Sequence, residues 1–131
     1  MLDKFKEQLY YDIPNLSEFT IYLAISGGKD SMALSDLLHK SKIDHQLLHC
    51  NFQLRGVESD QDEEFLRQYA SERNLIIHCV RFDTYKEVEL RKKNIQETAR
   101  ELRYEWFEQF NGSRNLILTA HHLDDSIETF F

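Results

Sequence analysis

The chain has 131 residues, of which 41% are hydrophobic, 12% aromatic and 30% charged, with 4 glycines and 1 proline. That is enough for one domain with a real core, and it excludes collagen-like, low-complexity and wholly disordered classes. The formal charge of -7 excludes nucleic-acid binding by bulk attraction, so any RNA contact must come from a local basic patch or from further chain.

Leu2, Phe5, Leu9 and Ile13 recur at helical spacing and predict an amphipathic helix over residues 1–13, ended by Pro14. The start is acidic in places and not continuously apolar, so it does not read as a signal peptide. No apolar run approaches the roughly 18 residues of a membrane span, and the expected location is the cytoplasm. Phe19–Ile25 (FTIYLAI) reads as a buried strand. Ser26-Gly27-Gly28 breaks it, and a helix beginning near Asp30 carries Met32, Ala33, Leu34, Leu37 and Leu38. Gln46–Cys50 (QLLHC) predicts a second strand, followed by a loop over Asn51–Glu58. Ser59-Asp60 is expected to cap the next helix, with Asp62 and Glu63 in its first turn and Phe65, Leu66, Tyr69 and Ala70 on its inner face.

Leu75–Phe82 (LIIHCVRF) predicts a third strand, while Thr84–Lys93 is polar and shows no clear period. Asn94 is expected to cap a long helix with Ile95, Ala99, Leu102, Trp106 and Phe110 on one face, stopped by Asn111-Gly112. Leu116–Ala120 (LILTA) predicts a fourth strand, and a last helix is expected from near Leu123. Strands alternating with helices predict an α/β fold, a doubly wound parallel sheet with helices on both faces. Residues 1–131 are expected to form one domain, with a later strand and further domains lying beyond it. Cys50 and Cys79 are far apart with no CxxC spacing, so they read as reduced core residues.

The strongest motif is Ser26-Gly27-Gly28-Lys29-Asp30-Ser31, between a buried strand and a helix. Glycines let the backbone approach a ligand closely, and the new helix presents unpaired N–H groups and a partial positive charge to an anion. Ser26 and Ser31 can add hydroxyl donors, and Lys29 a cation. A Walker A loop would need Gly at Leu23 and Ser or Thr at Asp30, and a GxGxxG turn would need Gly at Lys29. Asp30 beside a polyphosphate makes sense as a Mg²⁺ ligand or as a cap of the turn.

SGGKDS after a first strand resembles the PP-loop signature of the N-type ATP pyrophosphatases. Three more segments narrow the resemblance: His49-Cys50-Asn51-Phe52-Gln53-Leu54-Arg55-Gly56 with the acids after it, Ile95–Tyr104 (IQETARELRY), and Thr119–Thr129 (TAHHLDDSIET). Together they resemble the tRNA(Ile)-lysidine synthase family from about Tyr22 to Phe131, over the N-terminal catalytic domain of that family without its C-terminal tRNA-binding regions. Phe52 and Gln53 stand where the family commonly has His-Gly, and Ser126 stands where it has Gln.

The resemblance implies ATP and Mg²⁺ as cofactors. The reaction it implies is adenylation of the C2 oxygen of the wobble cytidine in an isoleucine tRNA with a CAU anticodon, followed by attack of free L-lysine at C2. The tRNA would be held by the full-length protein; a homodimer is compatible with this, and no membrane is involved. The residues implied are Ser26, Gly27, Gly28, Lys29, Asp30 and Ser31 for the nucleotide, with Asp30 the Mg²⁺ ligand. Arg100 and Arg103, on one helical face, would neutralise phosphate charge. His121 lies at the end of the fourth strand. Asp125 and Glu128, three apart on the expected last helix, would hold the lysine ammonium. With strand order 3-2-1-4, the switch point between strands 1 and 4 brings SGGKDS and HHLDDS to one crevice.

Other readings stay open at this level. A different PP-loop enzyme (a tRNA thiolase, or a GMP or NAD synthetase) or a non-catalytic ATP-binding module would share the loop. Thiolases of this kind generally need paired catalytic cysteines. Arg91-Lys92-Lys93 reads as a solvated charge run or a phosphate contact. A metal held by His121-His122 and Asp124-Asp125 is disfavoured, because neighbouring residues on a strand face opposite ways.

Overall fold

A computed structural model describes residues 2–26, 28–120 and 127–130, the side chains of residues 2, 3 and 127–130 excepted. Helix α1 covers Leu2–Asp12, and a short 3₁₀ turn at Leu16–Glu18 leads into β1, Thr20–Ala24. Then follow α2 (Lys29–Lys40), β2 (Gln46–Asn51), α3 (Val57–Glu72), β3 (Ile77–Arg81), α4 (Thr84–Arg91), α5 (Ile95–Phe107), β4 (Asn115–Ala120) and β5 (Ile127–Phe130).

The sheet order is β3-β2-β1-β4-β5. The first four strands are parallel, as the alternation of strands and helices requires. Leu23 of β1 lies opposite both Leu47 of β2 and Leu118 of β4. The three central strands therefore run side by side in one direction and their carboxyl ends form one rim, with β2 reaching to Asn51 and β4 to Ala120, past the level of Ala24. Side chains alternate between two cores. On one face Leu23, Leu47, Leu116 and Leu118 meet Leu9 of α1, Leu34 and Leu38 of α2, and Leu66 and Tyr69 of α3. On the other, Leu48 and Ile117 meet Trp106 and Phe107 of α5. Both faces are covered, which is why these strands read as apolar runs and not as alternating ones.

A buried polar chain ties the first core together. His45 Nδ1 stands 3.1 Å from the Ile43 carbonyl and must donate to it, which leaves Nε2 to accept from the Ser35 hydroxyl at 3.0 Å. Tyr69 OH in turn donates to Ser35 Oγ at 3.1 Å. Burial pushes the His45 pKa down, in keeping with this neutral, structural ring.

Three local expectations need correction. Helix α3 begins at Val57, not at Ser59-Asp60, because Gly56 at φ +56° turns the chain straight into it. Ser59 lies inside the helix, and its hydroxyl accepts from the Arg55 N–H at 3.1 Å. Phe65 is exposed, while Leu66, Tyr69 and Ala70 are buried as expected. The segment expected as a last helix ends in a strand instead: Ile127–Phe130 pairs antiparallel with β4, Glu128 opposite Thr119. Ile, Thr and Phe suit a strand, and the β4 edge offers unpaired backbone groups. The helical spacing invoked for Asp125 and Glu128 is therefore absent at Glu128, and Asp125 lies outside the described residues.

Thr84–Arg91, silent in the sequence, is a helix capped by Asp83, whose side chain accepts from the Lys86 N–H. Arg91 bonds Glu87 at 3.2 Å, Glu101 at 3.1 Å and Glu105 at 2.6 Å, and Lys93 pairs with Glu101. Arg91 thus clamps α4 to α5, and Lys93, in the link between the two helices, pairs with α5.

Candidate active site

The Ser26–Ser31 segment joins β1 to α2 at the rim. Gly28 is the N-cap of α2, with φ -72° and no side-chain cap. The first turn therefore keeps backbone N–H groups that no side chain caps. Ser31, almost fully buried, ties the loop to itself: its Oγ accepts from Ser26 N–H and donates to Gly28 O, each at 3.2 Å. Ser26 Oγ accepts from Gly28 N–H at 3.2 Å. A Cβ on Gly28 would come within 3.1 Å of that hydroxyl, so the glycine keeps the turn tight. Lys29 is exposed and Asp30 is half-buried in the first turn. Gly27 lies outside the described residues, as do His121, His122, Asp124, Asp125 and Ser126.

Beside this loop the strand ends enclose a cleft of about 200 Å³. Ala24 ends β1 and Ile25 follows it, Leu48, His49 and Cys50 come from β2, and Thr119 and Ala120 close β4. Ser26, Ser31, Phe52, Arg103 and Phe107 complete its lining. The cleft lies where the chain reverses direction between β1 and β4, the place open α/β sheets reserve for ligands. Glu128, whose Cα faces that of Thr119, belongs to the strand beside it.

The structure separates the two candidate arginines. Arg103 lines the cleft, its guanidinium carbon 5.5 Å from the centroid of Phe52. Arg100 is exposed and lies over Tyr104 of its own helix at 5.3 Å. No ion pair engages either among the described residues.

Sequence reasoning put no role on His49, Cys50 or Phe52 individually. His49 is 5% exposed; its Nδ1–H donates to Ile25 O at 2.9 Å, which ties the end of β2 to the end of β1. Its Nε2 has no partner among the described residues, a state that costs about 1–3 kcal/mol while unmet. Burial pushes the Cys50 thiol up to about 12, against a smaller opposing pull from Arg103. Cys50 is thus a protonated wall and not a nucleophile, and Cys79 sits opposite His49 on the neighbouring strand. The signals available beforehand were their position at the end of the second strand and their place in the His49–Gly56 segment that carries the resemblance.

Glu63 anchors the β2–α3 connection. It is 4% exposed and accepts from Arg67 Nε at 3.0 Å, Arg81 Nε at 3.1 Å and Asn51 Nδ2 at 3.2 Å. Burial alone would raise its pKa, but the bonds from Arg81, Asn51 and Arg67 outweigh it and hold the carboxyl down at about 2.

For Mg²⁺ the described residues offer Asp30 alone at the loop, and they contain no cluster of three or more His, Cys, Asp or Glu side chains arranged for a metal. A single carboxylate fits an ion held mostly by substrate phosphates and water. It does not fit a protein-caged metal.

A strand, a glycine turn at a helix N-terminus and a cleft at the switch point define a nucleotide-binding α/β domain. Residues 1–131 match the PP-loop domain family, an ATP-binding domain, and the chain belongs to it. Among curated proteins it is 40% identical over 126 residues to the tRNA(Ile)-lysidine synthase of Bacteroides thetaiotaomicron, covering 95% of this chain and 28% of that protein. It is 42% identical over 132 residues to that of Chlorobaculum tepidum, covering 96% of this chain and 40% of the relative. With that of Porphyromonas gingivalis strain W83 it shares 40% over 111 residues, 83% of this chain and 24% of the relative. The chain thus spans well under half the length of these relatives. No helix among the described residues is long and apolar enough to cross a membrane.

Proposed function

We propose that this chain is the nucleotide-binding portion of an enzyme that joins lysine to C2 of the wobble cytidine of an isoleucine tRNA with a CAU anticodon. The observation that carries the proposal is the pairing of a PP-loop, set at the switch-point cleft, with about 40% identity to proteins named for that reaction.

In the first step the cytidine C2 oxygen attacks the α-phosphorus of ATP, an oxygen–phosphorus bond forms, and pyrophosphate leaves. The turn over Ser26, Gly27, Gly28, Lys29, Asp30 and Ser31 binds the polyphosphate through its amides and hydroxyls. Asp30 would hold Mg²⁺, which supplies charge neutralisation at the phosphates. Arg103, in the same cleft lining, meets the phosphate charge.

In the second step the ε-amine of lysine attacks C2 and AMP departs with the former C2 oxygen. Lysine is an ammonium at neutral pH, with a pKa of about 10.4, and must shed a proton first. Asp125 and Glu128 orient that ammonium, and His121 or a carboxylate takes the proton. The reaction belongs to the cytoplasm, where tRNA, lysine and ATP meet.

The test uses the full-length protein that carries this chain, incubated with ATP, lysine and the unmodified tRNA. Nucleoside mass spectrometry is expected to show cytidine converted to its lysine adduct, and Asp125→Asn is expected to abolish the product. Unchanged product formation by Asp125→Asn refutes the lysine site. Turnover of xanthosine monophosphate or nicotinate adenine dinucleotide instead of tRNA refutes the reaction.

A further inference from the structure

We propose that the Phe52 ring, clamped between the ends of β2 and β3, positions the Arg103 guanidinium at the cleft wall and thereby makes Arg103, not Arg100, the arginine that meets nucleotide phosphate. The inference rests on the cleft being a nucleotide site. It goes beyond that reading by naming the residue that sets the arginine's place.

Phe52 is held from several directions. Its carbonyl accepts from the buried Thr84 hydroxyl at 2.6 Å. Its ring stacks on Phe82, with centroids 5.5 Å apart and planes inclined by 23°. On either side the backbone is fixed as well. Phe82 N–H donates to Asn51 O at 2.9 Å, Gln53 Nε2 donates to Phe82 O at 2.8 Å, and Gln53 N–H donates to Asn51 Oδ1 at 3.0 Å. Gln53 itself sits at φ +54°, a conformation that fixes the direction in which the chain leaves β2. Asn51 is 2% exposed and is gripped by Glu63 and Asp60. The ring is therefore part of a rigid strut and not a loose loop.

Arg103 has the opposite character. It is exposed, has no carboxylate partner among the described residues, and its guanidinium carbon lies within cation–π range of Phe52. A long side chain of this kind loses rotamer freedom when it binds an anion. A ring that already favours the bound position lowers that cost. Arg100 has its own aromatic neighbour in Tyr104, on the same helix and outside the cleft lining. The two arginines are thus drawn to different places by different rings.

The test is a double-mutant cycle on the full-length protein, with ATP as the probe in titration calorimetry and no tRNA present. Phe52→Leu is expected to weaken ATP binding by about 2- to 5-fold, and Phe52→Tyr, which keeps the ring, is expected to restore it. In an Arg103→Met background, Phe52→Leu is expected to add nothing. Equal weakening in both backgrounds overturns the proposal, because Phe52 then acts without Arg103. Should Phe52→Leu not fold, Phe52→Met replaces it in the same cycle. A second readout needs no ligand: the Arg103 Nε–H resonance is expected to be ring-current shifted in the parent and to lose that shift in the Leu or Met variant. Absence of the shift in the parent overturns the proposal. If the parent takes up no ATP, the nucleotide reading fails, and the resonance still decides whether Phe52 holds Arg103.

Discussion

The hydroxyl of Ser31, in the first turn of α2, accepts a hydrogen bond from the backbone N–H of Ser26, just past the end of β1, at 3.2 Å. One buried side chain thereby sets the curvature of the phosphate turn before any ligand arrives. Ser31→Ala removes this bond and the one to Gly28 O. The expected stability cost is about 1–2 kcal/mol by urea unfolding, together with a loss of ATP affinity on the order of tenfold. An unchanged ATP dissociation constant would show that the turn needs no such brace.

Arg103→Ala is expected to lower kcat/KM of the full-length enzyme by about 10²-fold, the scale of losing one preorganised donor at a developing charge. Arg100→Ala is expected to cost at least about tenfold less. Steady-state kinetics of the two variants side by side check this, and equal losses contradict the separation seen between cleft wall and helix surface.

Glu63 and His45 make the fold acid-sensitive over two pH ranges. The folded pKa of Glu63, about 2, lies below its ordinary value of 4.5. Its contribution is therefore complete above 4.5 and is lost as pH falls toward 2. His45 is also lowered, by burial, so its neutral form is stabilising above the ordinary 6.5 and the fold weakens as pH drops below that value. Urea unfolding followed against pH is expected to show both losses. Glu63→Gln is expected to remove the lower one and to cost about 1–3 kcal/mol at neutral pH, since Arg81 and Arg67 lose their shared acceptor.

Arg91→Met frees Glu87, Glu101 and Glu105 from their common partner. The melting temperature is expected to fall, and the difference from the parent is expected to shrink as salt is raised, because much of this network faces water. A salt-independent difference contradicts an electrostatic clamp and points to lost packing of the arginine stem.

The parts legible in the sequence were those with local causes. The phosphate turn announces itself through adjacent glycines between an apolar run and a helix. The parallel, doubly wound sheet followed from strands alternating with helices, the order 3-2-1-4 from analogy with such folds, and the Asn94 cap of α5 from one side chain next to an amphipathic stretch. What stayed hidden depends on partners far along the chain. Phe52 meets Phe82 and Arg103 only after β2, β3 and α5 have assembled. Helix α4 carries no apolar period because its hold on α5 is ionic. The start of α3 depends on Gly56 at positive φ, and no residue pattern marked that position over Ser59. Ile127–Phe130 had acids enough before it to suggest a helical first turn, but the open edge of β4 offered ladder bonds that outweighed that propensity.

The most direct measurement is ATP–pyrophosphate exchange by the full-length protein, with and without the CAU-anticodon isoleucine tRNA. Exchange is expected only when that tRNA is present and lysine absent, and to disappear in a tRNA whose wobble cytidine is replaced. Exchange that proceeds equally without tRNA, or none at all with ATP and that tRNA supplied and lysine withheld, would contradict adenylation of the tRNA base at the β1–α2 turn.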